Sequence, residues 1–161
     1  VIYPYVKRVF PLPQAWLGIA FGFGIPMAYA AQWNALPQVA WLLLIATMCW
    51  AIAYDTEYAM VDRDDDLKLG IHSSALFFGK YDVIAVMACY ALALLLLAVA
   101  GLMAGLGIAY FTGLMVAEGI ALYHYRLIKD RTREKCFKAF LHNNWFGAVV
   151  FVGLVGDYWL R

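Results

Sequence analysis

Gln38 to Glu57, QVAWLLLIATMCWAIAYDTE, is an apolar run of bilayer length. It overlaps Tyr54 to Lys80, YDTEYAMVDRDDDLKLGIHSSALFFGK. A helix needs about 20 apolar residues to cross a hydrocarbon core of about 30 Å. The second stretch therefore sets five aspartates and a glutamate at the end of a membrane span. Carboxylates so close to a membrane helix are costly, and by default they mark a functional site.

Working outward, four more segments are long and apolar enough to span: Leu12–Gln32, Tyr81–Gly101, Leu106–Arg126 and Phe140–Leu160. The expected fold is all-α, a polytopic transmembrane helical bundle with five spans in this chain. Pro26 is expected to kink the first span, and Gly18, Gly22 and Gly24 to permit close helix approach or local breaks there. Of 161 residues, 65% are hydrophobic and only 14% charged. A soluble domain carries about a quarter charged residues, so that class is excluded. The net charge of +1 offers no argument for a nucleic-acid partner. Cys49, Cys89 and Cys136 show no metal-ligand spacing and imply no disulfide.

The basic residues sort by loop. Lys7 and Arg8 precede the first span, and Arg63, Lys68 and Lys80 lie between the second and third. Arg126, Lys129, Arg131, Arg133, Lys135 and Lys138 lie between the fourth and fifth. With five alternating spans, eleven of the twelve Lys and Arg residues fall on one side, leaving only Arg161 opposite. By the positive-inside rule that side is cytoplasmic, which places the aspartate-rich loop there. Trp33, Trp41, Trp145 and Trp159 fall near span ends, as in an aromatic belt.

At about 100° per residue, Asp55, Asp62 and Asp66 lie within roughly 40° of one another on one helical face. Such a row presents hard oxygen ligands to Mg²⁺ and, through it, to a phosphate. Asp65 lies to the side and Asp64 points away; for these two, a solvated acidic cap balanced by Arg63 and Lys68 is an equally open reading. Lys7, Arg8 and Lys68 share that side of the membrane, where Arg serves a pyrophosphate as a fork and Lys as a point charge. Tyr58, one turn before Asp62, either lines the cavity or packs as a belt residue.

The run YDTEYAMVDRDDDLKLGIHSSALFFGK closely resembles the second aspartate-rich motif of the UbiA superfamily of intramembrane prenyltransferases, nearest its 4-hydroxybenzoate polyprenyltransferase branch. The resemblance extends to Tyr3-Pro4-Tyr5-Val6-Lys7-Arg8 and to Cys136-Phe137-Lys138-Ala139-Phe140-Leu141-His142-Asn143-Asn144, and so covers the whole chain. It implies that residues 1–161 are the C-terminal part of a single membrane prenyltransferase domain, five spans of a nine-span enzyme. It further implies Mg²⁺ as cofactor, with Asp62 and Asp66 as catalytic metal ligands and Asp55 as a further ligand near the substrate. Arg8 takes a catalytic role, and Lys7 and Arg8, with Lys68 and Tyr58, bind substrate. The implied reaction transfers a polyprenyl group from a polyprenyl diphosphate to 4-hydroxybenzoate, in ubiquinone biosynthesis, at a bacterial inner membrane.

One departure is large. The family's first aspartate-rich motif, of NDxxDxxxD type, has no match in this chain. The chain opens on Val1 rather than methionine, so an absent N-terminal part carrying that motif is the expectation, and the fragment alone is expected to lack a complete site. An aromatic or porphyrin acceptor other than 4-hydroxybenzoate is an alternative within the superfamily. A cation transporter or channel subunit is the alternative of another class, disfavoured because the acids gather at one membrane face rather than near its midplane. His72 and His124 have no partner at catalytic spacing and read as interfacial hydrogen-bonding groups, while Glu118 falls mid-span, where an ionisable group is expensive.

Overall fold

The computed structural model describes residues 13–161, and every regular element among them is helical. Two ten-residue helices, α1 (Pro13–Gly22) and α2 (Gly24–Trp33), lead into the long α3 (Gln38–Val61). A short α4 (Arg63–Leu69), a one-turn α5 (Ser74–Phe78) and a 3₁₀ turn over Gly79–Tyr81 follow. The chain ends in three long helices, α6 (Asp82–Met103), α7 (Ile108–Ile128) and α8 (Arg133–Trp159).

The result is a polytopic membrane bundle, but the five-span expectation needs correction. Among the described residues, three helical stretches are both long and apolar enough to cross a membrane: Gln38–Val61, Ser74–Met103 and Arg133–Trp159. The expected first span is broken at Phe23 into two pieces, each too short. Pro26 is the cause: it has no N–H to bond residue 22, and its ring crowds that carbonyl. The expected fourth span is one unbroken helix of 21 residues. However, Glu118, His124 and Arg126 reduce its apolar character.

Packing follows membrane rather than aqueous logic. Small residues fill the helix interfaces, with Ala40, Ala53, Ala93, Ala117 and Ala139 fully buried, while Ile84, Leu95, Met115, Phe151 and Val152 face outward. Without a hydrophobic drive between helices in lipid, close van der Waals contact is what holds them. The extensive α7–α8 and α3–α6 contacts have this character. Where α7 crosses α8, a Cβ on Gly113 would lie 2.8 Å from the Val149 carbonyl and 3.0 Å from Gly153 Cα. Gly18 approaches α3 in the same way, with Met48 Cα 3.0 Å from where a Cβ would stand, whereas Gly24 faces open space and needs no glycine for packing.

Ion pairs tie the helix ends. Buried Asp82 accepts from Arg63 at 3.0 Å and from Arg131 at 2.7 Å, which joins the start of α6 to the loops before it and after α7. Arg63 also donates to the carbonyls of Ala75 and Gly79, at 2.6 Å each. At the other end, Asp157 accepts from the Gly107 N–H at 2.8 Å and pairs with Arg161 at 2.7 Å. The basic loops around residues 63 and 131 thus meet at one end of the bundle, and Arg161 stands at the opposite one.

Candidate active site

The aspartate row does not lie on one continuous helix. Asp62 closes α3 and opens α4, with φ −96° and ψ 5°, so the backbone bends there. Beyond the bend the Asp66 N–H donates to the Asp62 carbonyl at 2.8 Å, which keeps these two residues one helical turn apart. The Tyr58 hydroxyl hydrogen-bonds the Asp62 carboxylate and lies within electrostatic reach of Asp55 and Asp66. Asp62 is thus the carboxylate beside Tyr58, while Asp55 and Asp66 act on it only at longer range. Asp64 is exposed and away from them.

Arg133 is a cationic neighbour beyond those expected. Arg133, at the start of α8, reaches Asp65 at 3.1 Å and Asp62 at 3.6 Å. Lys68 is exposed and stands 4.0 Å from Asp65. Lys7 and Arg8 lie outside the described residues. Asp66 also lines a surface cavity of about 270 Å³ with Ile71, Ser73 and Leu76.

The donor set suits a hard cation, since carboxylate oxygens at a half-exposed surface are what Mg²⁺ or Ca²⁺ takes. Among the described residues, however, no three such side chains converge as a closed metal centre. A cation held at this surface would therefore need ligands beyond these side chains.

From these carboxylates an aromatic wall climbs into the bundle. Trp50, Tyr54 and Tyr58 recur at i, i+4 and i+8 on α3, and α8 meets them with Phe140 and Phe146. Tyr58 and Phe140 centroids are 5.0 Å apart, Tyr54 and Phe140 6.3 Å, Trp50 and Tyr54 5.8 Å, and Trp50 and Phe146 5.5 Å. Only Tyr58 of this wall was expected; the four-residue spacing was the available signal.

Behind the wall lies a polar cluster that sequence reasoning missed. Glu57 from α3, Tyr90 from α6 and His124 from α7 are fully buried, and Asn143 from α8 nearly so. Trp50 Nε1 donates to Asn143 Oδ1 at 2.9 Å. Because an indole N–H can only donate, this contact fixes the amide's orientation. Asn143 Nδ2 is thereby turned to Glu57 Oε2 at 2.7 Å and to the Tyr90 oxygen, also at 2.7 Å. Tyr90 has a single proton and three acceptors in reach, Asn143 Oδ1 at 2.9 Å, His124 Nδ1 at 3.0 Å and Glu57 Oε1 at 3.1 Å. His124 Nε2 continues to His142 Nδ1 at 3.1 Å. His124 is thus a core residue with partners on three other helices, not an interfacial one. Glu118 stands exposed on the outer face of α7.

The chain is similar to known proteins along most of its length. The chain is 63% identical over 156 residues to a 4-hydroxybenzoate octaprenyltransferase of Azoarcus sp. (strain BH72), covering 97% of this chain and 54% of that protein. It is likewise 63% identical over 159 residues to one from Methylobacillus flagellatus, covering 99% and 54%. The chain thus spans about half the length of the curated relatives it matches. Among solved structures, the apo structure of a UbiA homolog from Aeropyrum pernix K1 superposes with a TM-score of 0.73 at 25% identity, over 95% of this chain and 59% of that one. A digeranylgeranylglyceryl phosphate synthase superposes with a TM-score of 0.79 over 94% of this chain and 54% of that one; at 16% identity it speaks for the fold alone. The sequence model of the UbiA prenyltransferase family matches residues 1–148, and the chain belongs to that family.

Proposed function

We infer that this chain is part of one membrane prenyltransferase domain that transfers a polyprenyl group from a polyprenyl diphosphate to 4-hydroxybenzoate. The observation that carries the reading is the aromatic wall of Trp50, Tyr54 and Tyr58 against Phe140, which ends beside the Asp62 carboxylate. A charged diphosphate and an apolar chain need those two environments side by side. The names of the relatives supply the acceptor. Their bacterial sources, and the basic loops gathered at one end of the bundle, support an inner membrane with the aspartate loop facing the cytoplasm.

Asp62 and Asp66, with Asp55 behind them, would hold Mg²⁺, which when bound supplies Lewis-acid neutralisation of the diphosphate. Lys7, Arg8 and Lys68 add positive charge toward the same leaving group. The allylic C–O bond breaks with its electron pair leaving on the diphosphate. The allylic cation then bonds the ring carbon ortho to the acceptor's hydroxyl, and loss of that carbon's proton restores aromaticity. Tyr58, beside Asp62, offers a π-face toward the cationic carbon, and the wall beyond it keeps water away until the C–C bond forms.

The test is prenyl transfer by the full-length protein in membranes, followed by mass spectrometry of the prenylated acid. Product is expected from the wild type, and a loss of about 100-fold or more from Asp62→Asn or Asp66→Asn, with membrane insertion retained. Undiminished product from either variant at saturating Mg²⁺ would remove the ligand assignment. Absence of product from the wild type would remove the reaction itself.

A further inference from the structure

Two cavities meet at Trp50. One, of about 380 Å³, lies on the carboxylate side and is lined by Phe21, Tyr54, Phe140 and Asn144. The other, of about 220 Å³, lies beyond and is lined by apolar groups, among them Leu97, Phe146, Val150 and Leu154. Trp50 and Thr47 border both. Trp50 lies twelve residues before Asp62 on the same helix, about 18 Å along its axis at 1.5 Å per residue.

The indole is held in place from three directions. Its N–H is tethered to Asn143, whose amide is in turn fixed by buried Glu57. Its edge meets Tyr54 in a T-shaped contact. Its far side lies over Gly147, where a Cβ would come within 2.6 Å of Cη2. A large side chain with a single polar tether, lodged between a mixed cavity and an apolar one, is placed as a partition.

We propose that Trp50 is a specificity-determining residue that divides the path of the polyprenyl chain into a near and a deep compartment, with Asn143 and Glu57 positioning its indole. This rests on the prenyl-transfer reading above, because the occupant is the apolar chain whose diphosphate sits at Asp62 and Asp66. A chain short enough to end in the near cavity never meets the partition. A longer one must press against the indole or displace it.

The experiment measures kcat/KM of the full-length protein in proteoliposomes with 4-hydroxybenzoate and a series of polyprenyl diphosphates of increasing length. Trp50→Ala joins the two cavities and is expected to shift the long-to-short preference ratio by about tenfold toward longer chains, the scale on which apolar pockets discriminate. Trp50→Phe keeps a ring but loses the tether, and is expected to shift the ratio the same way by less. A loss by one common factor at every length, in both variants, would show that Trp50 only packs and would overturn the proposal. Failure of the wild type to prenylate the acceptor with any length would overturn the reaction assignment instead.

Discussion

Asn143 Nδ2 stands 2.7 Å from Glu57 Oε2, and this contact joins α8 to α3 inside the bundle, across 86 residues of chain. Removing the amide leaves Glu57 short of a donor and Trp50 Nε1 short of an acceptor. A buried polar group stripped of its partner costs on the order of 1–3 kcal/mol. Asn143→Ala should therefore lower the thermal midpoint of the detergent-solubilised protein by several degrees. Glu57→Gln keeps the shape and an acceptor oxygen, so it should cost less. An unchanged midpoint in Asn143→Ala would show that the cluster adds nothing to stability.

Arg131 carries the corresponding role at the surface. It donates to both Asp82 oxygens and to the Lys80 carbonyl, so it pins the α7–α8 turn to the start of α6. The hydrogen bonds to Asp82 hold its guanidinium above the ordinary Arg value, against the opposing effect of burial, so Arg131 stays charged. Lys cannot reproduce that fork. Arg131→Lys should therefore speed limited proteolysis within residues 126–133, while Lys129→Arg, at an exposed neighbour, should not. Equal cleavage rates for Arg131→Lys and wild type would discount the pin.

Arg133 competes for a carboxylate proposed as a metal ligand, since it lies 3.6 Å from Asp62. The pair is solvent-exposed and worth about 0–1 kcal/mol, so Mg²⁺ need only displace a weak partner. Arg133→Gln is predicted to lower the Mg²⁺ concentration for half-maximal prenyl transfer, by up to about fivefold. The sign decides the matter: a higher Mg²⁺ requirement would mean that Arg133 holds the diphosphate rather than opposing the cation.

Membrane class was readable from residues because it rests on local pattern. The run from Gln38 into the aspartates reports its own hydropathy, and Asp55, Asp62 and Asp66 report a shared face through spacing alone. Two things were not local. The break at Phe23 is a consequence of Pro26, yet a hydropathy window passes over it because the flanking residues are apolar. The Glu57–Tyr90–His124–Asn143 cluster assembles from four helices, and no spacing within one segment relates its members. Glu57 stands among the aspartates in sequence, yet it points into the core.

The α7–α8 crossing offers a test that separates packing from helix propensity. Gly113 and Gly119 sit on the same helix, but only the first meets a neighbour. A Cβ at 113 would stand 2.8 Å from the Val149 carbonyl and 3.0 Å from Gly153 Cα, both backbone atoms that cannot swing aside. At 119 nothing lies within 4 Å. Gly113→Ala must push the helices apart, an overpacking cost of typically 1–3 kcal/mol. Gly119→Ala removes only backbone freedom and should be neutral or stabilising by up to about 1 kcal/mol. Thermal unfolding of the two variants side by side should move the midpoint down for the first and not for the second. If both moved down together, glycine would be needed along α7 for a reason other than this crossing.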